Sequence, residues 1–128
     1  MPEKEWRWLA TDVVLAIHDR QISRYGGLEG LRDVGAFESA LARPQNLAVY
    51  GTPDAADLAA AYACGLARNH AFADANKRTA WAAAHTFLID NGCDVRLKTE
   101  ETVAAMLEVA TGAMAESDFA QWLRARLV

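Results

Sequence analysis

The sequence is poor in cysteine and proline and contains no long apolar run. Its 128 residues include three prolines and two cysteines, Cys64 and Cys93, which have no C-x-x-C or other metal-ligand spacing. We therefore expect no disulfide framework and no zinc site, and a reducing compartment. No apolar run approaches the roughly 20 residues that span a bilayer, and residues 1–6 lack the regions of a signal peptide. We expect a cytoplasmic protein without a membrane partner.

An excess of basic charge is also missing. The chain carries 13 Lys and Arg against 17 Asp and Glu, a formal net charge of -4. Counterion release favours binding to a polyanion only where a basic field covers the surface, so direct nucleic-acid binding is not expected. Cleavage of nucleic acid would require a more basic surface or paired metal-binding carboxylates, and the sequence shows neither.

The composition is that of one globular domain. Hydrophobic residues make up 52% of the chain and charged residues 23%, values close to the globular average, which excludes global disorder. The length suits a single core, and no repeat, linker or low-complexity tract divides it. We therefore expect a single domain over residues 1–128.

Helical periodicity predicts a mainly α fold with six helices. The first is predicted over Thr11–Tyr25, with Thr11 as N-cap and Gly26 as a left-handed stop. Residues 26–35 are predicted to be a Gly-rich loop. The second helix begins near Val34 and is predicted to end at Pro44, because proline disfavours helical geometry in the residue before it.

Two Ala-rich helices are predicted in the middle of the chain. The first begins at Thr52-Pro53-Asp54, which places a cap, a proline and an acid in helix-starting order, and runs to about Asn69. The second runs over Asn76–Asp90 and closes at an Asn-Gly pair. Their small side chains would let the two helices approach closely.

The ends of the chain are less strongly patterned. Residues 93–97 are predicted to be a short extended piece, and two further capped helices are predicted to open at Thr99 and Ser117. Trp6 and Trp8 alternate with charged residues, which suits either an edge strand or a partner-binding patch. His18 falls within a helical pattern and is expected to be structural, as is His85.

Polar chemistry concentrates in residues 68–78, between the two Ala-rich helices. Lys77 and Arg78 lie in the first turn of the second helix, where the helix dipole disfavours a cation by roughly 0.3 to 1 kcal/mol. A bound polyphosphate would reverse this penalty, since free backbone N–H groups also point at it. The simplest interpretation is an anion-binding pocket.

Two neighbouring residues suggest chemistry at that pocket, and a third suggests an anchor for the loop. His70 is the candidate general base, because an imidazole can accept a hydroxyl proton near neutral pH. Asp74 offers the hard carboxylate oxygen that magnesium prefers. Phe72 is apolar within a polar loop and is expected to anchor that loop in the core.

Each of these residues also has an ordinary interpretation. His70 could be a structural hydrogen-bonding residue at a helix end, and Asp74 or Asn76 could be N-caps. Arg68 near a helix C-terminus is favourable without any ligand, and Lys77 and Arg78 could lie on a solvated face. The functional interpretation therefore depends on the combination within one loop.

The same loop resembles the signature of the Fic/Doc family. Its Doc branch carries H-x-F-x-D/N-x-N-K-R, which is matched here by His70, Phe72, Asp74, Asn76, Lys77 and Arg78. Residues 16–27 and 31–44 also resemble death-on-curing members, so the similarity covers nearly the whole chain. The resemblance implies the compact six-helix Fic/Doc fold, with the active-site loop between two central helices.

The sequence departs from the AMP-transferring branch, whose motif is H-P-F-x-D/E-G-N-G-R-x-x-R. Ala71 replaces the proline, Ala75 and Lys77 replace the two glycines, and Trp81 stands at the final arginine. The resemblance to the Doc branch implies that ATP binds in the opposite sense, so that its γ-phosphoryl group meets the attacking hydroxyl. AMP transfer and a non-catalytic anion-binding protein remain the alternatives.

The resemblance implies the toxin of a toxin–antitoxin pair, a protein kinase that uses ATP and Mg²⁺. The implied roles are proton acceptance by His70, magnesium binding by Asp74, and phosphate binding by Asn76, Lys77 and Arg78, with Arg68 as a weaker candidate. The implied target is elongation factor Tu, and the implied partner is an antitoxin whose flexible C-terminal segment folds into a groove.

Residues 26–44 resemble the part of the family that lies over the active site and helps to align the target. Their glycines would permit a mobile flap, and they equally suit a plain helix cap and turn. We assign no catalytic role to this segment.

Overall fold

Six helices make up the regular structure of residues 5–128, the part of the chain that the computed structural model describes. In chain order they are α1 (Thr11–Tyr25), α2 (Val34–Tyr50), α3 (Ala55–Arg68), α4 (Asn76–Asp90), α5 (Thr99–Thr111) and α6 (Glu116–Arg124). The mainly α, six-helix prediction is confirmed. Residues 1–4 lie outside the described residues. They belong to the segment that, from its sequence, is not expected to be a signal peptide.

Helix α3 is the central element of the core. All but two of its 14 residues are buried, and it packs against α2, α4, α5 and α6. Its small side chains permit this, and at Gly65 an added Cβ would lie 3.3 Å from the Cα of Ala40 in α2. Burial of Tyr62 and Leu66 on the same helix supplies the larger apolar surfaces.

Helix α2 does not end at Pro44, and this prediction is wrong. The helix continues to Tyr50 with the proline inside it. An interior proline removes a hydrogen bond and crowds the preceding turn, at a cost of about 3 kcal/mol. Pro44 is nevertheless buried, on the same face of α2 as Phe37 and Leu41. Packing of that face against α3 offsets the local penalty.

Two predicted N-caps are also wrong. Thr11 is the first residue of α1 and makes no capping bond, because Ala10 occupies the cap position. Thr52 precedes the true cap of α3, Asp54, whose carboxylate accepts the Asp57 N–H at 2.9 Å while the Asp57 carboxylate accepts the Asp54 N–H at 3.0 Å. This reciprocal capping box satisfies two backbone donors, which a threonine three residues before the helix cannot do.

Two helix caps predicted in the C-terminal part of the chain are also wrong, and the extended segment predicted there forms no strand. Lys98 and Ala115 precede α5 and α6 without side-chain capping bonds, so Thr99 and Ser117 are not caps. Residues 93–97 contribute an isolated bridge from Val95 to Leu127 rather than a strand.

The N-terminal tryptophans are partly buried and pack against the hydrophobic core. Trp6 and Trp8 form no strand, and the ring centroid of each lies 6.0 Å from that of Phe87 in α4. Among residues 5–128, no helix has the length and apolar character needed to cross a bilayer.

Candidate active site

The loop between α3 and α4 borders a cavity of about 220 Å³ together with the first turn of α4. Its lining residues are Ala67, His70, Ala73, Asp74, Ala75, Asn76, Lys77, Arg78 and Ala110. The structure therefore brings together five polar residues that the sequence analysis selected. Arg68 is not part of this lining.

Two left-handed residues shape the loop. His70 has φ 51° and Ala75 has φ 62°, although neither is glycine. This conformation costs roughly 1 to 2 kcal/mol for an ordinary residue, and such strain is often found at functional sites. The turn at Ala75 starts α4 directly after the loop.

The N-terminus of α4 has the features of an anion-binding end. It has no side-chain cap and no acidic residue in its first turn. The backbone N–H groups of Asn76, Lys77 and Arg78 have no hydrogen-bond partner in the described part of the chain. Three free donors and the positive end of the helix dipole can therefore bind phosphate oxygens.

His70 and Lys77 have side chains available to a substrate. Both are exposed, and neither side chain makes a hydrogen bond or ion pair within residues 5–128. The carbonyl of His70, by contrast, accepts a bond of 3.4 Å from the Arg32 guanidinium. A backbone contact thus holds the residue, while its imidazole has no side-chain partner in the described residues.

Asp74 presents an ionised carboxylate at the cavity. One oxygen accepts the Ala75 N–H at 2.8 Å and the other accepts the Leu28 N–H at 3.2 Å. These two backbone bonds, led by that from Ala75, hold the pKa of Asp74 below its usual value. A carboxylate has about four lone-pair sites, so acceptor capacity remains. One carboxylate beside an uncapped helix N-terminus fits magnesium, which also takes substrate oxygens and waters.

Asn76 holds the loop with its side chain. Its Oδ1 accepts the Phe72 N–H and its Nδ2 donates to the Phe72 carbonyl, both at 3.1 Å. Phe72 is 1% exposed and lies edge-on to Phe37 at 5.5 Å, the position expected of an anchor. The side chain of Asn76 therefore holds the loop with one donor and one acceptor, while its backbone N–H has no partner in the described residues.

Arg78 lies at the cavity but is also bonded to the end of α1. Its guanidinium donates to the carbonyls of Gln21 at 3.4 Å and Gly26 at 3.1 Å, and lies 5.8 Å from the ring centroid of Tyr25. A guanidinium has five N–H donors, so these contacts leave some for a phosphate.

Arg68 has a different environment from the one expected of a phosphate-binding residue. Its Nε donates to the Val109 carbonyl and its Nη2 to the Met114 carbonyl, both at 2.8 Å. It therefore fastens the C-terminal end of α5 to α3. The phosphate-binding role stays a prediction, and the structure separates Arg68 from the residues that share the cavity.

Residues 26–33, which we call the flap, lie against the active-site loop. The N–H groups of Arg32 and Asp33 donate to the Ala71 carbonyl at 2.7 and 3.0 Å, and the Ala73 N–H donates to the Gly30 carbonyl at 3.1 Å. The segment is therefore more than a helix cap and turn, because its backbone is bonded to the loop that carries His70 and Asp74.

Two further residues, Gly27 and His18, lie against Asp74, although the sequence predicted only a structural role for His18 and no particular role for Gly27. Gly27 has φ 125°, and an added Cβ would lie 2.7 Å from Oδ2 of Asp74. His18 is buried, and its Nε2 lies 2.9 Å from the Asp74 carbonyl oxygen. The available signal for His18 was a polar residue at an apolar position of α1, since a buried imidazole needs a hydrogen-bond partner.

Comparison with known proteins agrees with this arrangement. The model of the Fic/DOC family matches residues 8–88, which include the flap and the active-site loop. The chain is 39% identical over 119 residues to a protein named protein kinase doc from Escherichia phage P1, covering 92% of this chain and 94% of that protein. It is 48% identical over 92 residues to a protein named toxin Doc from Mycolicibacterium smegmatis, covering 68% and 70%. The chain therefore belongs to the Fic/DOC family.

Proposed function

We propose that this chain is the toxin of a toxin–antitoxin pair and acts as a protein kinase. It transfers the γ-phosphoryl group of ATP to a Thr or Ser hydroxyl of a cytoplasmic target, for which elongation factor Tu is our candidate. The names of the two relatives support the toxin and kinase assignments. The observation that carries the proposal is the shared cavity, where a free imidazole and an ionised carboxylate lie beside an uncapped helix N-terminus.

The proposed reaction begins with proton removal. His70 accepts the proton of the target hydroxyl, for which its imidazole has no competing side-chain partner in the described residues. The alkoxide oxygen attacks the γ-phosphorus, the bond to the β,γ-bridging oxygen breaks, and ADP leaves. Enzymes catalyse such transfer mainly by positioning and electrostatic stabilisation.

The first turn of α4 stabilises the charge that develops during transfer. The free N–H groups of residues 76–78 and the ammonium group of Lys77 would bind oxygens of the triphosphate. Asp74 would hold magnesium, which when bound neutralises charge on the phosphate oxygens. Because the two carboxylate oxygens of Asp74 already accept backbone N–H groups, its orientation is set before substrate binds.

The departures from the AMP-transfer motif favour phosphoryl transfer. Ala75 keeps the left-handed turn that a glycine would adopt more easily, so the start of α4 is preserved. Lys77 replaces a glycine and adds a cation at the cavity. Trp81, at the position of the final motif arginine, stacks on His85 with ring centroids 5.4 Å apart and supplies no guanidinium to a distant phosphate.

The proposal extends to the antitoxin. A chain that arrests translation has to be held inactive in the cell that makes it, and we propose an antitoxin whose flexible C-terminal segment folds onto this domain. The net charge of -4 gives no reason to invoke nucleic acid as a direct partner.

Replacement of His70 by alanine tests the catalytic assignment. A general base contributes about 100- to 10,000-fold in rate, so we expect phosphate transfer to elongation factor Tu to fall by that factor. The matched control is His85→Ala, which removes an imidazole from α4 outside the cavity lining and should leave transfer unchanged. Equal transfer rates for the His70→Ala variant and the unmodified protein would reject His70 as the general base, and absence of transfer by both would favour an anion-binding protein.

A further inference from the structure

His18 is an imidazole at a helix position that calls for an apolar side chain. It is 2% exposed and lies between Val14 and Ile22 on the buried face of α1. Burial of a polar group is unfavourable unless a hydrogen bond compensates it. An imidazole at this position therefore needs a hydrogen-bond partner, which a leucine or phenylalanine would not.

The imidazole supplies one directed hydrogen bond to the active-site loop. Its Nε2 lies 2.9 Å from the carbonyl oxygen of Asp74. A carbonyl oxygen only accepts hydrogen bonds, so Nε2 carries the proton and donates. This contact fixes both the tautomer of His18 and the direction of the peptide group that follows Asp74.

The ring of His18 makes a second contact with the same loop. It stacks on Phe72 with ring centroids 3.8 Å apart and planes inclined by 7°. One side chain from α1 therefore holds the loop at two residues, Phe72 through its ring and Asp74 through its backbone. These two contacts lie on either side of Ala73, whose N–H is bonded to the flap.

Asp74 is therefore held both at its backbone carbonyl and at its side-chain carboxylate. His18 binds its carbonyl, while the N–H groups of Leu28 and Ala75 bind its carboxylate. Because the carbonyl and the carboxylate share one Cα, the direction of the peptide group helps to set the direction in which the side chain leaves the loop. Groups that orient a metal-binding residue typically contribute 10- to 100-fold to metal affinity or activity.

We propose that His18 is a positioning residue that orients Asp74 for a divalent cation bound together with the phosphates of ATP. The inference rests on the proposed function for the identity of the bound group. The orienting contact itself is a property of the protein alone, so it has a readout that does not depend on phosphate transfer.

Two substitutions separate the two contacts of His18. His18→Phe keeps a flat ring that can stack on Phe72 and removes the donor to Asp74. His18→Gln keeps an N–H donor at a similar distance from the backbone and removes the ring. His85→Phe is the matched control, because it removes a half-buried imidazole whose partner, Asp94, lies outside the cavity lining.

The first measurement is binding of Mn²⁺, a spectroscopic substitute for Mg²⁺, in the presence of a non-hydrolysable ATP analogue, followed by electron paramagnetic resonance. We expect His18→Phe to weaken Mn²⁺ binding about 10- to 100-fold, by analogy with other groups that orient metal ligands. His18→Gln should recover most of this loss, and His85→Phe should bind like the unmodified protein.

The second measurement is amide hydrogen exchange without nucleotide. In His18→Phe the Leu28 and Ala75 amides, which donate to the Asp74 carboxylate, should exchange faster, while the remaining α1 and α3 amides stay protected. Global loss of protection in His18→Phe would mean that the variant does not fold, and the comparison then passes to His18→Gln and a His18→Asn variant. For these two, Mn²⁺ affinity should follow the ability to donate to the Asp74 carbonyl.

The outcomes separate this inference from the proposed function. Weaker Mn²⁺ binding in His18→Phe with recovery in His18→Gln supports the inference, even if the unmodified protein transfers no phosphate. Unchanged Mn²⁺ affinity in a folded His18→Phe variant overturns it, whatever the exchange data show, because His18 would then be a structural residue. Equal losses in the Phe and Gln variants also overturn it, since the N–H donor that Gln keeps would then fail to restore Mn²⁺ binding.

Discussion

Single residues of the active-site loop divide into those whose side chains hold the loop and those whose side chains remain available. Asn76 belongs to the first group and Lys77 to the second, although they are neighbours in the chain and in the motif. Both are polar residues at a helix start, so sequence reasoning assigned both to phosphate binding. The difference depends on which way each side chain leaves the first turn of α4.

Replacement of Asn76 by alanine should destabilise the protein. The change removes two hydrogen bonds to the Phe72 backbone, and each typically contributes about 0.5 to 1.5 kcal/mol. We expect the free energy of unfolding to fall by about 1 to 3 kcal/mol in urea denaturation. Lys77→Ala is the control and should change it by less than about 0.5 kcal/mol, as is usual for an exposed side chain without partners. Equal effects would contradict the assignment of Asn76 as the loop clamp.

Much of the site could be predicted at this scale, because His70, Asp74 and Lys77 were selected from sequence and meet at one cavity. The left-handed Ala75 could not be predicted, since alanine rarely adopts positive φ and its identity carries no signal. The partners of Arg68 were equally invisible, because its bonds reach carbonyls more than 40 residues away in the chain.

At the scale of elements, the flap and the active-site loop form one bonded unit. Gly27 permits the flap to lie close to Asp74, since an added Cβ would lie 2.7 Å from Oδ2 of Asp74 and 3.0 Å from Cδ1 of Ile22 in α1. Gly30 also has positive φ, at 117°, yet an added Cβ would meet no atom within 4 Å. Alanine substitutions at the two glycines therefore distinguish the effect of backbone strain, which both would have, from the effect of steric contact, which only Gly27 would have.

Gly27→Ala should disturb the flap more than Gly30→Ala. Each alanine would adopt a strained φ, at a cost of about 1 to 3 kcal/mol, but only that at position 27 would also displace the Asp74 carboxylate. We expect the Leu28 amide, which donates to that carboxylate, to lose more hydrogen-exchange protection in Gly27→Ala. Equal loss in the two variants would show that strain alone is responsible and that the flap does not depend on close contact with Asp74.

Element boundaries were predictable where the local signal agreed with the packing. Helix α4 spans Asn76–Asp90 as predicted, because an Asn-Gly pair follows a periodic stretch. Helix α2 overran its predicted end, since burial of Pro44 against the core outweighs a local preference that sequence reasoning treats as decisive. Tertiary packing of this kind leaves no mark in the nearby sequence.

For the whole molecule, the fold depends on how closely α3 approaches its neighbours. The approach is close at Gly65, where an added Cβ would lie 3.3 Å from both Cα and Cβ of Ala40. These atoms belong to the backbone and first side-chain carbon of α2, so they cannot move without shifting the helix. The position of the active-site loop at the end of α3 is therefore tied to the packing of α3 against α2.

Gly65→Ala should lower stability despite the higher helix propensity of alanine. Overpacking of a core typically costs about 1 to 3 kcal/mol, against a gain of up to about 1 kcal/mol from propensity. Gly35→Ala in α2 is the control, because its Cβ would meet only Oδ1 of Asp33 at an ordinary 3.5 Å. Urea denaturation should show Gly35→Ala unchanged or stabilised. A stabilised Gly65→Ala variant would contradict the tight packing of α2 on α3.

For the molecule as a whole, we propose transfer of the γ-phosphoryl group of ATP onto a protein hydroxyl. The direct measurement incubates the purified chain and elongation factor Tu with ATP labelled at either the γ- or the α-phosphate, and compares the label on the target. We predict that the γ-label alone appears on elongation factor Tu. Transfer of the α-label would instead identify AMP transfer, and absence of both labels would contradict the kinase account for this target.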